Sequence, residues 1–351
     1  MQLQGARAIV QGMLPAMAIR LVPRAASSSV EELIAGATSR RPLGGADGKS
    51  GSRLERVVID GAPFVLKHLH PDGDWTMRGF GDLGCRPVEV WTSGLLDEVP
   101  ATIDHAVVGA AAGLGRNGWG GALLLRDVSE HLVPEGDTML TLEDHRQLLD
   151  HLAHLSAAFW GAEGLPELLS LESRWSAFGP GWLAAEAGLG WPDVVPRIAA
   201  DGWARFAARA PVDVRVLVED LRHDVDALVV AVRRTPMTFL HGDWKLGNLG
   251  LTGERTVLLD WTYPGIGPVA HDLAWYLSLN QARLPESKEA SIDALRSSLE
   301  ARGIETAPWW DAQVSLCLLG ALEQFGWEKA LGDDDELGWW CDRAREGARR
   351  L

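Results

Sequence analysis

The chain has 351 residues, enough for two packed lobes given the usual size of a single core. Its formal net charge of -15 argues against nucleic acid as a partner, since phosphate backbones are met by basic faces, and favours neutral or cationic small ligands. Three scattered cysteines, Cys85, Cys317 and Cys341, make neither a disulfide framework nor a zinc knuckle, which suits a reducing, cytoplasmic setting.

Residues 1–30 contain Arg7, Arg20 and Arg24 but no acidic residue, a bias shared with transit peptides. Gln11, Pro15 and Arg20 interrupt the apolar stretch, so no membrane span is expected; an ordinary helix, or a start at Met13 or Met17, accounts for it. Ser29 ahead of Glu31 and Glu32 reads as a helix cap. Ser39 to Ser52 is rich in Gly, Ser and Arg, lacks apolar periodicity and reads as a loop. Leu54 to Ile59 is a β-branched strand, Asp60-Gly61 a hairpin turn, and Ala62 to Leu66 the return strand with Lys67 at its end. Pro87 opens a predicted helix through Val88, Trp91, Leu95 and Leu96, closed by Pro100. Strands around His105 to Ala111 and Ala122 to Leu125 then complete a small antiparallel lobe.

From Thr141 the period changes. Thr141 and Asp144 make a capping box, and Leu148, Leu152, Leu155 and Phe159 recur at helical spacing. Helical patterns dominate from there on, broken only by a short β island at Thr238 to Leu240 and Thr256 to Leu259. The fold class is therefore α+β, with a β-rich N-lobe over 1–125 and a mainly helical C-lobe over 126–351.

The β island carries the chemistry. His241-Gly242-Asp243-Trp244-Lys245-Leu246-Gly247-Asn248 follows one strand, and Asp260 ends the next. Asp243 on a loop can accept a proton from an attacking hydroxyl. Asn248 and Asp260 offer oxygens to a hard cation, and Lys245 adds positive charge where phosphate charge would develop. A base, a metal clamp and a cation are the parts that phosphoryl transfer requires.

HGDWKLGN followed by LDW closely resembles the catalytic and metal loops of the aminoglycoside phosphotransferase and choline-kinase-like superfamily, small-molecule relatives of protein kinases. Gly265-Ile266-Gly267-Pro268 and Asp272-Leu273-Ala274 resemble its downstream segment. The resemblance implies a two-lobe protein-kinase-like fold and Mg²⁺-dependent transfer of the ATP γ-phosphoryl group, with GTP as another possible donor, to a hydroxyl of a small molecule. That acceptor would be aminoglycoside-like, an amino alcohol or a sugar; another hydroxylated metabolite, or a nucleotide-binding pseudoenzyme, are the alternatives. It further implies that Lys67 holds the α/β-phosphates, that Glu89 orients Lys67, and that Gly44 to Ser52 covers the nucleotide. Asp127 and Val128 would lie in the adenine-reading hinge, while His241 and Asp272 brace the catalytic loop. Thr262 departs from the acidic residue that small-molecule members often carry at its position.

Other residues are candidate acceptor contacts. Asp333-Asp334-Asp335-Glu336 reads as an acidic loop before Trp339-Trp340, either solvated or able to bind a cationic substrate. Glu323 lies in an apolar helical run and so either forms an internal salt bridge or faces a pocket. His145, His151 and His154 share one helix and read as solvated or capping residues.

Overall fold

The computed structural model describes residues 19–43, 50–166 and 168–351. Most of the stretch read against transit peptides, and the Gly44–Lys49 part of the nucleotide-covering loop, lie outside the described residues. Helix α1 (Val30–Leu33) starts as expected, with the Ser29 hydroxyl accepting from the Glu32 N–H at 3.1 Å. Five strands, β1 (Ala37–Pro42), β2 (Leu54–Ile59), β3 (Ala62–Leu69), β5 (Val107–Ala112) and β6 (Gly121–Arg126), form one antiparallel sheet in the order β1-β2-β3-β6-β5. At the β2–β3 turn Asp60 and Gly61 both have positive φ, 50° and 79°, as a primed turn demands.

Three expectations for this lobe are corrected. Part of the presumed loop from Ser39 is the edge strand β1, whose side chains are mostly exposed; it pairs through its backbone, so no apolar alternation marks it. Strand β3 runs on to Leu69, which places Lys67 inside it, opposite Leu123 of β6. Between them and the next strands lie α2 (Trp75–Gly79), capped by Asp74, and α3 (Arg86–Thr92). The latter ends two turns early, because Gly94 adopts φ 78° where a Cβ would stand 2.2 Å from the Val22 carbonyl oxygen.

The short β4 (Ile103–Asp104) leaves this lobe to pair in parallel with β9 (Arg255–Leu258), itself antiparallel to β8 (Leu249–Thr252). Strand β7 (Thr238–Leu240) pairs with β10 (Gly265–Gly267). The remainder is helical: α4 (Leu142–Ala158), α5 (Leu171–Trp175), α6 (Pro180–Gly188), α7 (Val194–Arg209), α8 (Val212–His223), α9 (Asp226–Val232), α10 (Val269–Asn280), α11 (Lys288–Ala301), α12 (Trp310–Lys329) and α13 (Asp334–Ala348). Helix α12 is apolar nearly all round because it packs against α7, α8, α9, α10 and α13.

The histidines of α4 are not solvated. His145 meets the Tyr276 hydroxyl at 2.9 Å and Glu286 at 2.9 Å, His151 meets Thr256 at 2.7 Å, and His154 meets Thr102 at 3.0 Å. They tie α4 to the sheet and to its neighbouring segments, and burial lowers the pKa of all three. Among the described residues, no helix is long and apolar enough to cross a membrane.

Candidate active site

Strand β7 delivers the chain to His241 inside the protein, and α10 holds the loop that follows. Asp272 accepts from the His241 N–H at 3.1 Å and from the Gly242 N–H at 3.0 Å, one on each carboxylate oxygen. Gly242 has φ 82°, and a Cβ there would stand 2.2 Å from both the Tyr263 carbonyl oxygen and Arg174 Nη1. Only glycine fits. The His241 ring accepts from the Asp243 N–H at 3.3 Å through Nδ1 and packs edge-on to Trp261 at 4.7 Å. Burial holds its pKa below the usual imidazole value, and a neutral ring is what this acceptor role needs.

Asp243 is fully buried with both oxygens engaged. Its Oδ2 accepts from Lys245 Nζ at 2.7 Å and from Asn248 Nδ2 at 2.7 Å. Its Oδ1 accepts from the indole Nε1 of Trp275 at 2.8 Å. Trp275 was missed by sequence reasoning. Its signal was helical spacing: it stands three residues after Asp272, on the same face of α10. Asn280, one further turn and a half along, accepts from the Leu246 N–H at 3.0 Å and was missed for the same reason.

Asp260 sits at φ 63°, which turns its carboxylate toward β3. Lys67 Nζ donates to its Oδ1 at 2.8 Å, and the Thr262 hydroxyl donates to the same atom at 2.5 Å. Burial pushes the Asp260 carboxyl up, but the charges of Lys67 and Lys245 outweigh it and hold the pKa well below the carboxylate range. Burial likewise pulls the Lys67 ammonium down, and Asp260, Asp74 and Asp243 more than reverse it.

Glu89 is not the partner of Lys67, and this expectation is corrected. Helix α3 buries Arg86, Pro87, Val88, Val90 and Trp91, which leaves Glu89 exposed, its Oε1 lying over Gly84. After Asp260, the acid whose charge acts most on Lys67 is Asp74, the buried cap of α2, which also accepts from Ser52 Oγ at 2.6 Å.

Asp127 and Val128 follow β6 at the junction of the lobes. The Asp127 side chain is held by Arg56 at 2.6 Å and by the Ser129 hydroxyl at 2.7 Å, while the Val128 N–H donates to no acceptor among the described residues. Asp333, Asp334 and Asp335 do not form an acidic loop. Asp333 caps α13 by accepting from the Glu336 N–H at 2.7 Å, Asp334 and Asp335 fill its first turn, and Asp334 pairs with Arg209 at 2.6 Å. None of these bonds reaches the catalytic loop. Glu323 is buried on α12 with neither oxygen hydrogen-bonded among the described residues, so the internal salt bridge, one of its two expected roles, is absent there.

Asn248 turns its amide nitrogen to Asp243, and Asp260 uses Oδ1 for Lys67 and Thr262. This leaves Asn248 Oδ1 and Asp260 Oδ2 without a hydrogen bond among the described residues: two hard oxygens, a set that suits Mg²⁺, which keeps waters and phosphate oxygens for the rest of its shell. No group of three or more His, Cys, Asp or Glu side chains able to hold a metal occurs among the described residues.

The antiparallel sheet with its strand lysine, the helical lobe, and the loop bearing Asp243 together make a two-lobe α+β architecture that carries the parts of a phosphotransferase. The family model described as "Phosphotransferase enzyme family" matches residues 91–305, more than half of the chain, and the chain belongs to that family. Solved structures similar to it include a microcompartment-associated aminopropanol kinase (16% identity, 89% of this chain and 90% of that one, TM-score 0.47). A choline kinase from Streptococcus pneumoniae (13%, 92% and 96%, 0.48) and an ethanolamine kinase from Plasmodium vivax (12%, 89% and 83%, 0.46) are similar to the same extent. A search of curated proteins found no match.

Proposed function

We propose that this chain transfers the γ-phosphoryl group of ATP to a hydroxyl of a small molecule. The observation that supports it best is the buried carboxylate of Asp243, aligned by Asn248 and facing the cation of Lys245. In this reading Asp243 orients the acceptor hydroxyl and takes its proton. The acceptor oxygen bonds to the γ-phosphorus, the bond to the bridging oxygen breaks, and ADP leaves. Lys245 meets the transferred group and Lys67 the α/β-phosphates, with the Val128 N–H available to the base of the nucleotide. Asn248 and Asp260 would hold Mg²⁺, which when bound neutralises phosphate charge. We assign residues 1–125 to the nucleotide-covering lobe and 126–351 to the lobe that carries the loops and the acceptor.

A net charge of -15 and the aromatic rings beside Asp243 favour an amine-bearing or polyhydroxylated acceptor over an anionic one. Three free, buried cysteines fit a reducing cytoplasm. The test is ADP formation from ATP or GTP against a panel of amino alcohols, aminoglycosides, sugars and phosphorylated controls, with and without Mg²⁺. ADP formation that requires both acceptor and metal supports the reading. Nucleotide binding with no ADP from any acceptor, or from water, would instead make the chain a binding-only relative.

A further inference from the structure

We infer that Trp275 is a positioning residue for phosphoryl transfer, pinning Oδ1 of Asp243 so that Oδ2 is the atom presented to the acceptor; this rests on the reading of Asp243 given above. A carboxylate has about four lone-pair sites. Two of those on Oδ2 are filled by Asn248 and Lys245, and one on Oδ1 by the Trp275 indole. The three donors differ in freedom. Trp275 is 6% exposed and Asn248 7%, whereas the Lys245 side chain is 33% exposed. Lys245 is thus the partner that can leave for a phosphate, and its departure opens a site on Oδ2.

The outer torsion of an aspartate is soft, with a broad two-fold profile, so one remaining hydrogen bond would let the carboxylate turn. The indole supplies the second pin. Its ring is itself fixed, edge-on to Phe325 at 4.7 Å and against Tyr263 at 5.7 Å and His271 at 5.6 Å. One helix, α10, therefore holds the backbone of the loop through Asp272 and its carboxylate through Trp275.

Trp275→Phe keeps a ring in place and removes the N–H. With Mg-ATP and water as the acceptor, ADP release should fall roughly tenfold or more, since a hydrogen bond to a charged group is lost. The KM for Mg-ATP should stay within about twofold. In an Asp243→Ala background the same substitution should cause no further fall, because the two residues act as a unit. In the ¹⁵N-labelled native chain, the indole resonance that Trp275→Phe deletes should be protected from exchange, and Asp243→Ala should displace it. A folded Trp275→Phe variant with the native rate, an equal fall in both backgrounds, or an indole resonance indifferent to Asp243→Ala each overturns the inference. If Trp275→Phe fails to fold, the resonance is assigned in the native chain from its through-space contacts with the Phe325 and Tyr263 rings, and its response to Asp243→Ala decides the matter. Asp243→Ala with undiminished ADP release removes the base itself, and this inference with it; a dead Asp243→Ala beside a native Trp275→Phe removes only the inference.

Discussion

Lys67 Nζ and Asp260 Oδ1 stand 2.8 Å apart across 193 positions of sequence, joining the antiparallel sheet to the loop beyond β9. Each neutralises the other. On the reading proposed above, a Mg-nucleotide would draw them apart, the lysine toward phosphate and the carboxylate toward the metal. Asp260→Ala should therefore abolish Mg-dependent nucleotide binding, and Lys67→Ala should weaken it by an order of magnitude or more, since charged hydrogen bonds are worth about 1.5–3 kcal/mol each. Isothermal titration with Mg-ATP checks this. Unchanged affinity in both variants would contradict a kinase-like site.

Asp243→Asn removes the proposed proton acceptor and keeps the size. Turnover should drop by on the order of 10²-fold or more. Nucleotide affinity should change little, since Asp243 itself makes none of the contacts assigned to ATP. The pair of measurements separates a lost base from a collapsed site; near-native turnover would remove Asp243 from the mechanism.

Asp272 is a matter of stability as well as alignment. It is buried, and both oxygens accept backbone N–H groups of the catalytic loop. Burial pushes its carboxyl up, but His271, His241 and Arg174 hold it below the usual range. Asp272→Ala leaves two buried N–H groups unpaired and takes a counter-charge from the buried Arg174, a loss of about 3–5 kcal/mol. Urea unfolding measures it, and a variant as stable as the native chain would show that the loop supports itself.

The sequence made the catalytic loop legible because its residues are consecutive and follow a strand, so spacing alone placed Asp243, Lys245 and Asn248 together. The hairpin was legible through Asp60-Gly61, whose backbone demands are local. Partnerships made across the fold were not. Glu89 was assigned to Lys67 although α3 has only seven residues, too few for periodicity to fix which face looks inward, and the structure turns that face away. Strand β1 was invisible because an exposed edge strand carries no alternation. Asp333 to Asp335 read as a loop, when acidic residues at that spacing also mark the first turn of a helix, where the macrodipole favours them. Trp275 demanded knowing which way α10 faces, which only the contact with Asp243 reveals.

Glu323 gives the chain a pH dependence with a definite sign. Its carboxyl is buried on α12 with no hydrogen bond among the described residues, and burial raises its pKa well above the ordinary 4.5, against the pull of the Arg222 charge. Arg222 is committed elsewhere, donating to the Phe178 carbonyl at 3.3 Å and to Glu219 at 3.2 Å. The folded chain therefore holds this proton at pH values where the unfolded chain has already released it. The stability contributed by the group is full below that value and is lost as pH rises toward the folded one. Glu323→Gln cannot ionise in either state. The difference in stability between variant and native chain should thus grow in favour of the variant as pH rises above the ordinary 4.5, compared at about pH 4, pH 5 and pH 8, with no gain at the lowest. Urea unfolding at those three values reads the difference directly. A difference that stays flat across the range would mean that Glu323 is ionised in the folded chain and has found a counter-charge.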